Sequence, residues 1–157
     1  MASTTFSGPV TSTNGFIGAL TGNVTGNVTG NVAGSGSITH ATTVAIDATA
    51  TATAAQVATG YITSTSAAAT AITLPTGTLL GAALSAAQGT IFDLYIDNTA
   101  GASAVSIVAA VNGIVSTAGV DTPGSFGDLT VAAGVTGLAR YTLMFSSATA
   151  YVFTRTA

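Results

Sequence analysis

The sequence predicts an all-β protein in three parts: an extended arm over residues 1–17, a repeat and connecting segment over 18–59, and a jelly-roll-like β-sandwich module over 60–157. Three observations predict this organisation. A tetrapeptide repeat near the start has the period of strands, and short apolar runs recur between turn residues after residue 60. Charged residues make up only 4% of the chain, against about 25% in ordinary globular proteins.

The N-terminal arm holds two aromatic residues, Phe6 and Phe16. Pro9 and Gly15 favour an extended chain with one turn. A disordered terminus is the alternative, because chain ends often lack order. Since aromatic residues are rare in this chain, we expect the arm to anchor on a partner. The predicted contact residues are Phe6, Pro9, Val10, Phe16 and Ile17.

The second part opens with the repeat Thr21-Gly22-Asn23-Val24, which recurs over residues 25–28 and 29–32. Four residues are two strand dyads, so Val and Gly share one face while Asn and Thr share the other. A flexible Gly-rich linker is the alternative, but a linker does not need Val in strict register. We therefore predict a stalk of several intertwined chains. Its oligomer interface would be Leu20, Val24, Val28 and Val32.

Residues 39–60 are rich in Ala and Thr, and the two residue types alternate from Ala48 to Ala54. This period of two suits a strand or an extended connection better than a helix. We also expect one helical turn near Ala54 to Ala58, since Ala raises helix propensity.

The module from residue 60 contains several short strand signals. Ile91–Asp97 is the clearest: its alternation places Phe92, Leu94 and Ile96 on the core face and the two Asp residues outside. Residues 79–84 read as a short helix or a loop. Asn112-Gly113 lies between apolar runs and predicts a hairpin. The other expected strands are 61–63, 71–74, 105–111, 129–131, 140–145 and 151–154.

The composition favours association and excludes several kinds of partner. Ala and Val dominate the apolar residues, so a monomer would bury little apolar area. A nearly uncharged surface also tends to associate. The net charge of −3, with two Arg and no Lys, argues against nucleic acid and against electrostatic docking on a membrane. No apolar window of spanning length is apparent. We expect a protein made in the cytoplasm.

No motif for catalysis or metal binding emerges, so we expect no enzyme activity and no cofactor. His40 has no second His, Cys or Glu nearby to share a metal, and the chain has no cysteine. Asp93 and Asp97 share one side of a strand, but their Cα atoms would be about 13 Å apart, too far for a retaining glycosidase pair. Arg140 and Arg155 are predicted to pair with Asp.

Several segments of the chain form a recognisable combination: Phe6–Val10, Gly15–Phe16, Ile72–Pro75, Phe92–Thr99, Val105–Ile107, Leu129–Gly134, Arg140–Thr142 and Ala150–Phe153. Together they resemble the sandwich or jelly-roll heads of tailed-bacteriophage structural proteins, above all capsid decoration (cement) proteins and head or tail fibres. The repeat is similar to collar or shaft repeats in phage fibres, and the opening segment is similar to the capsid-facing arm of some marine-phage cement proteins.

This resemblance implies a homotrimer on the outer capsid surface that binds the major capsid protein and stabilises the shell. A fibre or spike tip that binds a host receptor is the alternative, with Tyr61, Tyr95, Tyr141 or Tyr151 stacking on sugars. A glycan-degrading enzyme is a third hypothesis, and converging carboxylates in a cleft would be its signature.

Overall fold

The computed structural model describes residues 42–110 and 129–156 and the strand backbone of 113–115. These ranges contain ten strands, two helices and a 3₁₀ turn at Gly134–Thr136. The helices are α1 Ala54–Ala58 and α2 Gly77–Leu84. The strands are β1 Val44–Ala45, β2 Ala50–Thr51, β3 Tyr61–Thr63, β4 Thr70–Thr73, β5 Ile91–Asp97, β6 Val105–Val108, β7 Gly113–Val115, β8 Thr130–Val131, β9 Leu138–Ser147 and β10 Ala150–Arg155.

The strands form two mixed sheets, so the described part is predominantly β, as predicted. The six-stranded sheet has the order β1-β3-β5-β9-β10-β7 and the four-stranded sheet the order β2-β4-β6-β8. Successive strands from β1 to β6 alternate between the two sheets, and each is parallel to the strand two places earlier. The first six strands therefore wind like three turns of a two-sheet β-solenoid.

In each sheet, an antiparallel strand is added next to the last of the parallel strands. β9 pairs with β5 in the larger sheet, and β8 pairs with β6 in the smaller one. β9 and β10 form the predicted C-terminal antiparallel pair. A jelly-roll consists of antiparallel strands, whereas β1, β3 and β5 are parallel to one another, as are β2, β4 and β6.

The strands β6 and β7, on either side of the hairpin signal Asn112-Gly113, do not pair with each other; Asn112 itself lies outside the described residues. β6 lies in the four-stranded sheet, whereas β7 lies in the six-stranded sheet and pairs in parallel with β10. The turn signal is local, but each of these strands finds a longer-range partner with which to satisfy its backbone groups.

One apolar cluster lines the inner faces of both sheets. Alternation along β5 buries Leu94 and Ile96 and packs Phe92 against the cluster, as predicted, while Asp93 and Asp97 lie on the opposite face. The largest buried side chains come from β9 and β10: Tyr141, Phe145, Tyr151 and Phe153.

The Ala/Thr-rich segment before residue 60 contributes to this same core. It forms β1, β2 and the expected helical turn α1, and it buries Ile46, Ala52 and Val57. The core of the described part therefore begins before residue 60, where the sequence placed the start of the module.

Both helices connect the smaller sheet to the larger one, and both begin at a threonine N-cap. Thr53 caps α1 through a reciprocal capping box with Gln56, and Thr76 caps α2 by accepting from the Leu79 amide. Helix α2 contains two buried glycines, Gly77 at its first position and Gly81 one turn later. A Cβ atom at either position would overlap a carbonyl oxygen of the turn between β9 and β10, so glycine permits this close contact.

Candidate interaction surfaces

The outer face of the six-stranded sheet carries most of the described charged side chains. Strand register pairs Asp93 with Thr142 and Tyr95 with Arg140 across β5 and β9. The next pair along the same face is apolar, Ile91 with Met144, and these side chains are 65% and 48% exposed. The face therefore changes from polar to apolar along the strands.

Two tyrosines stack on this face. The rings of Tyr61 and Tyr95, on the parallel strands β3 and β5, have centroids 6.3 Å apart and planes inclined by 25°. The Tyr61 hydroxyl donates to Asp97 Oδ2 at 2.7 Å. Asp97 Oδ1 also accepts from the amide and the hydroxyl of Thr99, at 2.9 and 2.6 Å.

These hydrogen bonds shift two pKa values in opposite directions. The bonds from Thr99, and to a smaller extent from Tyr61, lower the pKa of Asp97 against the opposing effect of burial. The bond to Asp97 is the largest cause of the raised pKa of Tyr61. A carboxylate held ionised in this way accepts hydrogen bonds at neutral pH and is poorly suited to act as a general acid.

A buried asparagine organises the loops at one end of the sheets. Asn98 directly follows β5 and is fully buried. Its Nδ2 donates to the carbonyls of Ser103, Val131 and Ala132 at 2.9, 3.3 and 2.9 Å. Its backbone amide donates to the carbonyl of Gly137 at 2.6 Å. Asn98 therefore joins the β5–β6 loop to the segment that follows β8.

An apolar groove lies at the opposite end of the smaller sheet, where β2, β4 and β6 end. It has a volume of about 690 Å³, and Leu79, 59% exposed, forms part of its wall. Pro75 and the residues that precede the two helices complete it. The lining residues are Thr51, Ala52, Thr53, Ala54, Thr73, Leu74, Pro75, Thr76, Leu79, Ala109 and Ala110, none of them charged.

The described ionic side chains bond to neighbours within the module. Asp47 accepts from Thr65, and Asp93 accepts from Thr142 at 2.6 Å. The two arginines bond to Thr156 and to the carbonyl of Thr130 respectively. Within the described ranges, no group of three or more His, Cys, Asp or Glu residues could hold a metal ion.

Most of the site residues predicted from sequence lie outside the described residues. These are the arm contacts Phe6, Pro9, Val10, Phe16 and Ile17, the oligomer interface Leu20, Val24, Val28 and Val32, and His40.

Of the four tyrosines considered for stacking on sugars, Tyr141 and Tyr151 are fully buried, so they cannot line an exposed groove. The Tyr151 hydroxyl donates to the carbonyl of Pro75 at 2.9 Å, and burial raises the pKa of Tyr151 to about 12. Only Tyr61 and Tyr95 lie on an outer face.

Sequence reasoning missed Asn98 and the groove. The signal for Asn98 was an Asn directly after the clearest strand and three residues before Gly101, where an added Cβ would overlap the Asn98 side chain. The groove had no local signal, because its lining comes from segments up to 59 residues apart, Thr51 to Ala110.

Comparisons with protein-family models, with curated proteins and with solved structures found no significant match to this chain. Among the residues that the structure describes, no helix has the length and apolar character needed to cross a membrane.

Proposed function

We propose that this chain is a structural virion protein that decorates a tailed-phage capsid and stabilises it by binding across major capsid protein subunits as a trimer. The observation that carries the proposal is a difference between the ionic and the large apolar side chains of the described module. Its ionic groups bond to neighbours within the module, while large apolar side chains remain outside. The exposed ones are Leu79, Ile91, Val108, Val135, Leu138 and Met144.

Ionic groups that are bonded internally, together with exposed apolar side chains, favour assembly over catalysis. A catalytic group needs a shifted pKa and also access to a substrate. Asp97 has a lowered pKa, but its carboxylate oxygens already accept hydrogen bonds from Thr99 and Tyr61. Exposed apolar side chains gain free energy when another surface covers them, by about 25 cal/mol per Å². A shell protein would use that gain to tie neighbouring subunits together, and several weak contacts per trimer would multiply in strength.

The test is binding to empty capsids of the phage that encodes the chain. Phe6→Ala/Phe16→Ala removes the two predicted anchors of the arm, and Thr4→Ala/Thr13→Ala is the matched control. We expect the aromatic variant to bind at least ten-fold more weakly, as for the loss of interface anchors generally, and the control to bind like the wild type. Deletion of residues 1–17 should have the same effect, and full-strength binding by the deletion variant would reject the arm as the anchor.

The oligomeric state is a second, independent test. Sedimentation of the full chain should give the mass of a trimer of 15.0 kDa subunits. A stable monomer at all concentrations would overturn the proposal, because a single copy would leave its apolar side chains uncovered.

A receptor-binding fibre or spike tip is the alternative, and the stacked pair Tyr61 and Tyr95 beside Asp97 favours it. Aromatic rings next to a carboxylate can bind a sugar by stacking and hydrogen bonding. Electron microscopy of the particle separates the two functions: a decoration protein would appear in many copies over the shell, and a fibre or spike in a few copies at the tail or at single head positions.

A further inference from the structure

The 3₁₀ turn Gly134–Thr136 presents an apolar side chain to solvent. Val135 is 99% exposed, which is extreme for a valine. The turn is nonetheless well anchored: the Gly134 amide donates to the carbonyl of Asn98, and the Asn98 amide donates to that of Gly137. Gly134 has φ +76°, a conformation that favours glycine. The backbone thus holds Val135 outward from a buried hydrogen-bond network.

The turn and the apolar groove lie at opposite ends of the four-stranded sheet. Val131 pairs with Val105, the first residue of β6, so the chain that continues to Val135 lies beyond the amino end of β6. The groove includes Ala109 and Ala110, which directly follow the carboxyl end of β6. The turn and the groove of one chain therefore cannot meet each other.

We infer that the Val135 turn of one copy inserts into the apolar groove of a second copy beside Leu79. The inference builds on the proposed assembly of several copies and names a contact for it.

Charge is the reason to commit to a second copy as the occupant. No lining residue of the groove is charged, and the segment Ala132–Ala139 is uncharged as well. About a quarter of the residues of an ordinary partner would be charged, and burying an unpaired charge in this groove would be costly. A second copy offers the exposed, apolar side chain of Val135 within an uncharged segment.

A contact between two different patches is heterologous. It repeats head to tail, and it produces a ring if the rotation closes or a filament if it does not. A trimer would close as a ring of three such contacts. One turn in one groove is smaller than the roughly 1,200 Å² of a stable interface, so we expect it to act together with other contacts.

Cysteine cross-linking tests the contact in the full chain, which has no cysteine of its own. Val135→Cys/Leu79→Cys should form disulfide-linked species larger than a dimer on mild oxidation, because the bond must join different copies. Each single variant should give dimers at most. The control pair Gln88→Cys/Leu79→Cys also uses two exposed positions. Cross-linking of the test pair no faster than that of the control pair would overturn the inference.

A charge exchange provides the second measurement. Val135→Asp and Leu79→Lys should each weaken association about ten-fold or more, as expected for the loss of one buried apolar side chain. The variant with both changes should regain most of the affinity, and Gln88→Asp, a change at an exposed polar position outside the groove lining, should associate like the wild type in sedimentation velocity. Single variants that associate normally, or a double variant no better than the singles, would contradict the contact.

The two proposals fail in different ways. A wild-type chain that is monomeric at every concentration removes the proposed trimer and this contact together. A wild-type oligomer that neither cross-links at these positions nor responds to Val135→Asp removes the contact alone.

Discussion

The side-chain amide of Asn98 donates to the carbonyl of Ala132 at 2.9 Å, across 34 residues of sequence. The same amide group also bonds to the carbonyls of Ser103 and Val131, and the residue is fully buried. These three carbonyl oxygens fix the orientation of the Asn98 side-chain amide. If the amide were rotated by 180°, Oδ1 would take the place of Nδ2 and would face three other oxygens. Among the described residues, Asn98 Oδ1 is the one buried side-chain polar atom that has no hydrogen-bond partner.

Asn98→Asp should therefore destabilise the module strongly. The carboxylate would place negative charge against three carbonyl oxygens in a buried site, and we expect a loss of about 3–5 kcal/mol, as when a buried charge is left unpaired. Asn98→Ala is the control, with a smaller loss of about 1–3 kcal/mol from the unpaired carbonyls. Urea denaturation monitored by circular dichroism measures both. Wild-type stability of Asn98→Ala would show that the amide donors do not contribute as described, and equal losses in the two variants would show that the carboxylate does not face the three carbonyl oxygens.

Gly81→Ala should destabilise the module although alanine favours helices. The intrinsic preference would stabilise α2 by about 1 kcal/mol, but the added Cβ would overlap the carbonyl oxygen of Ala148. We expect a net loss above about 2 kcal/mol, because the backbone of the β9–β10 turn must move. Thr78→Ala, at an exposed position of the same helix, should instead be neutral or slightly stabilising. A gain in melting temperature for Gly81→Ala would contradict the close contact between α2 and the β9–β10 turn.

The sequence predicted the strands whose signal is local. Alternation along Ile91–Asp97 identifies both the strand and its buried face, and the apolar runs around Tyr141 and Tyr151 identify the C-terminal pair. The parallel winding of β1 to β6 could not be predicted in this way, because alternation is the same for parallel and antiparallel strands. Which sheet each strand joins depends on contacts between distant residues, as the pairing of β7 with β10 shows.

The interaction surfaces were less predictable than the strands. Tyr61 and Tyr95 are 34 residues apart in sequence and become neighbours only through the parallel register of β3 and β5. Val135 resembles any valine in the sequence, and its exposure follows from the turn that Asn98 holds. These features depend on tertiary contacts, for which the sequence has no short-range signal.

Tyr151→Phe should cost about 1–3 kcal/mol of unfolding free energy, because the buried carbonyl of Pro75 would lose its donor. The variant should also change the response to alkali. Burial raises the pKa of Tyr151 to about 12 from the ordinary value of 10.0, so its contribution to stability is complete below about pH 10 and is lost as the pH rises toward 12. The difference in unfolding free energy between the wild type and Tyr151→Phe should therefore narrow between pH 10 and 12. Thermal denaturation at pH 8, 10 and 11 measures it, and a constant gap would contradict the burial of the phenol.

Asp97 should produce the opposite dependence at acidic pH. Its pKa is lowered, chiefly by the hydrogen bond from the Thr99 hydroxyl, so the folded state binds a proton less readily than the unfolded chain. The contribution of Asp97 is then present above about pH 4, near the ordinary value, and is lost as the pH falls below it. Asp97→Asn should be less stable than the wild type at pH 7, and thermal denaturation should show this difference in stability shrinking as the pH falls below about 4. A difference that stays constant through the acid range would contradict the lowered pKa.

A double-mutant cycle isolates the contribution of the hydrogen bond from Tyr61 to Asp97. If the bond from Tyr61 contributes, Tyr61→Phe/Asp97→Asn should be less destabilised at pH 7 than the sum of the two single variants. Strict additivity of the two losses would mean that the 2.7 Å contact between Tyr61 and Asp97 adds nothing to the stability of the sheet.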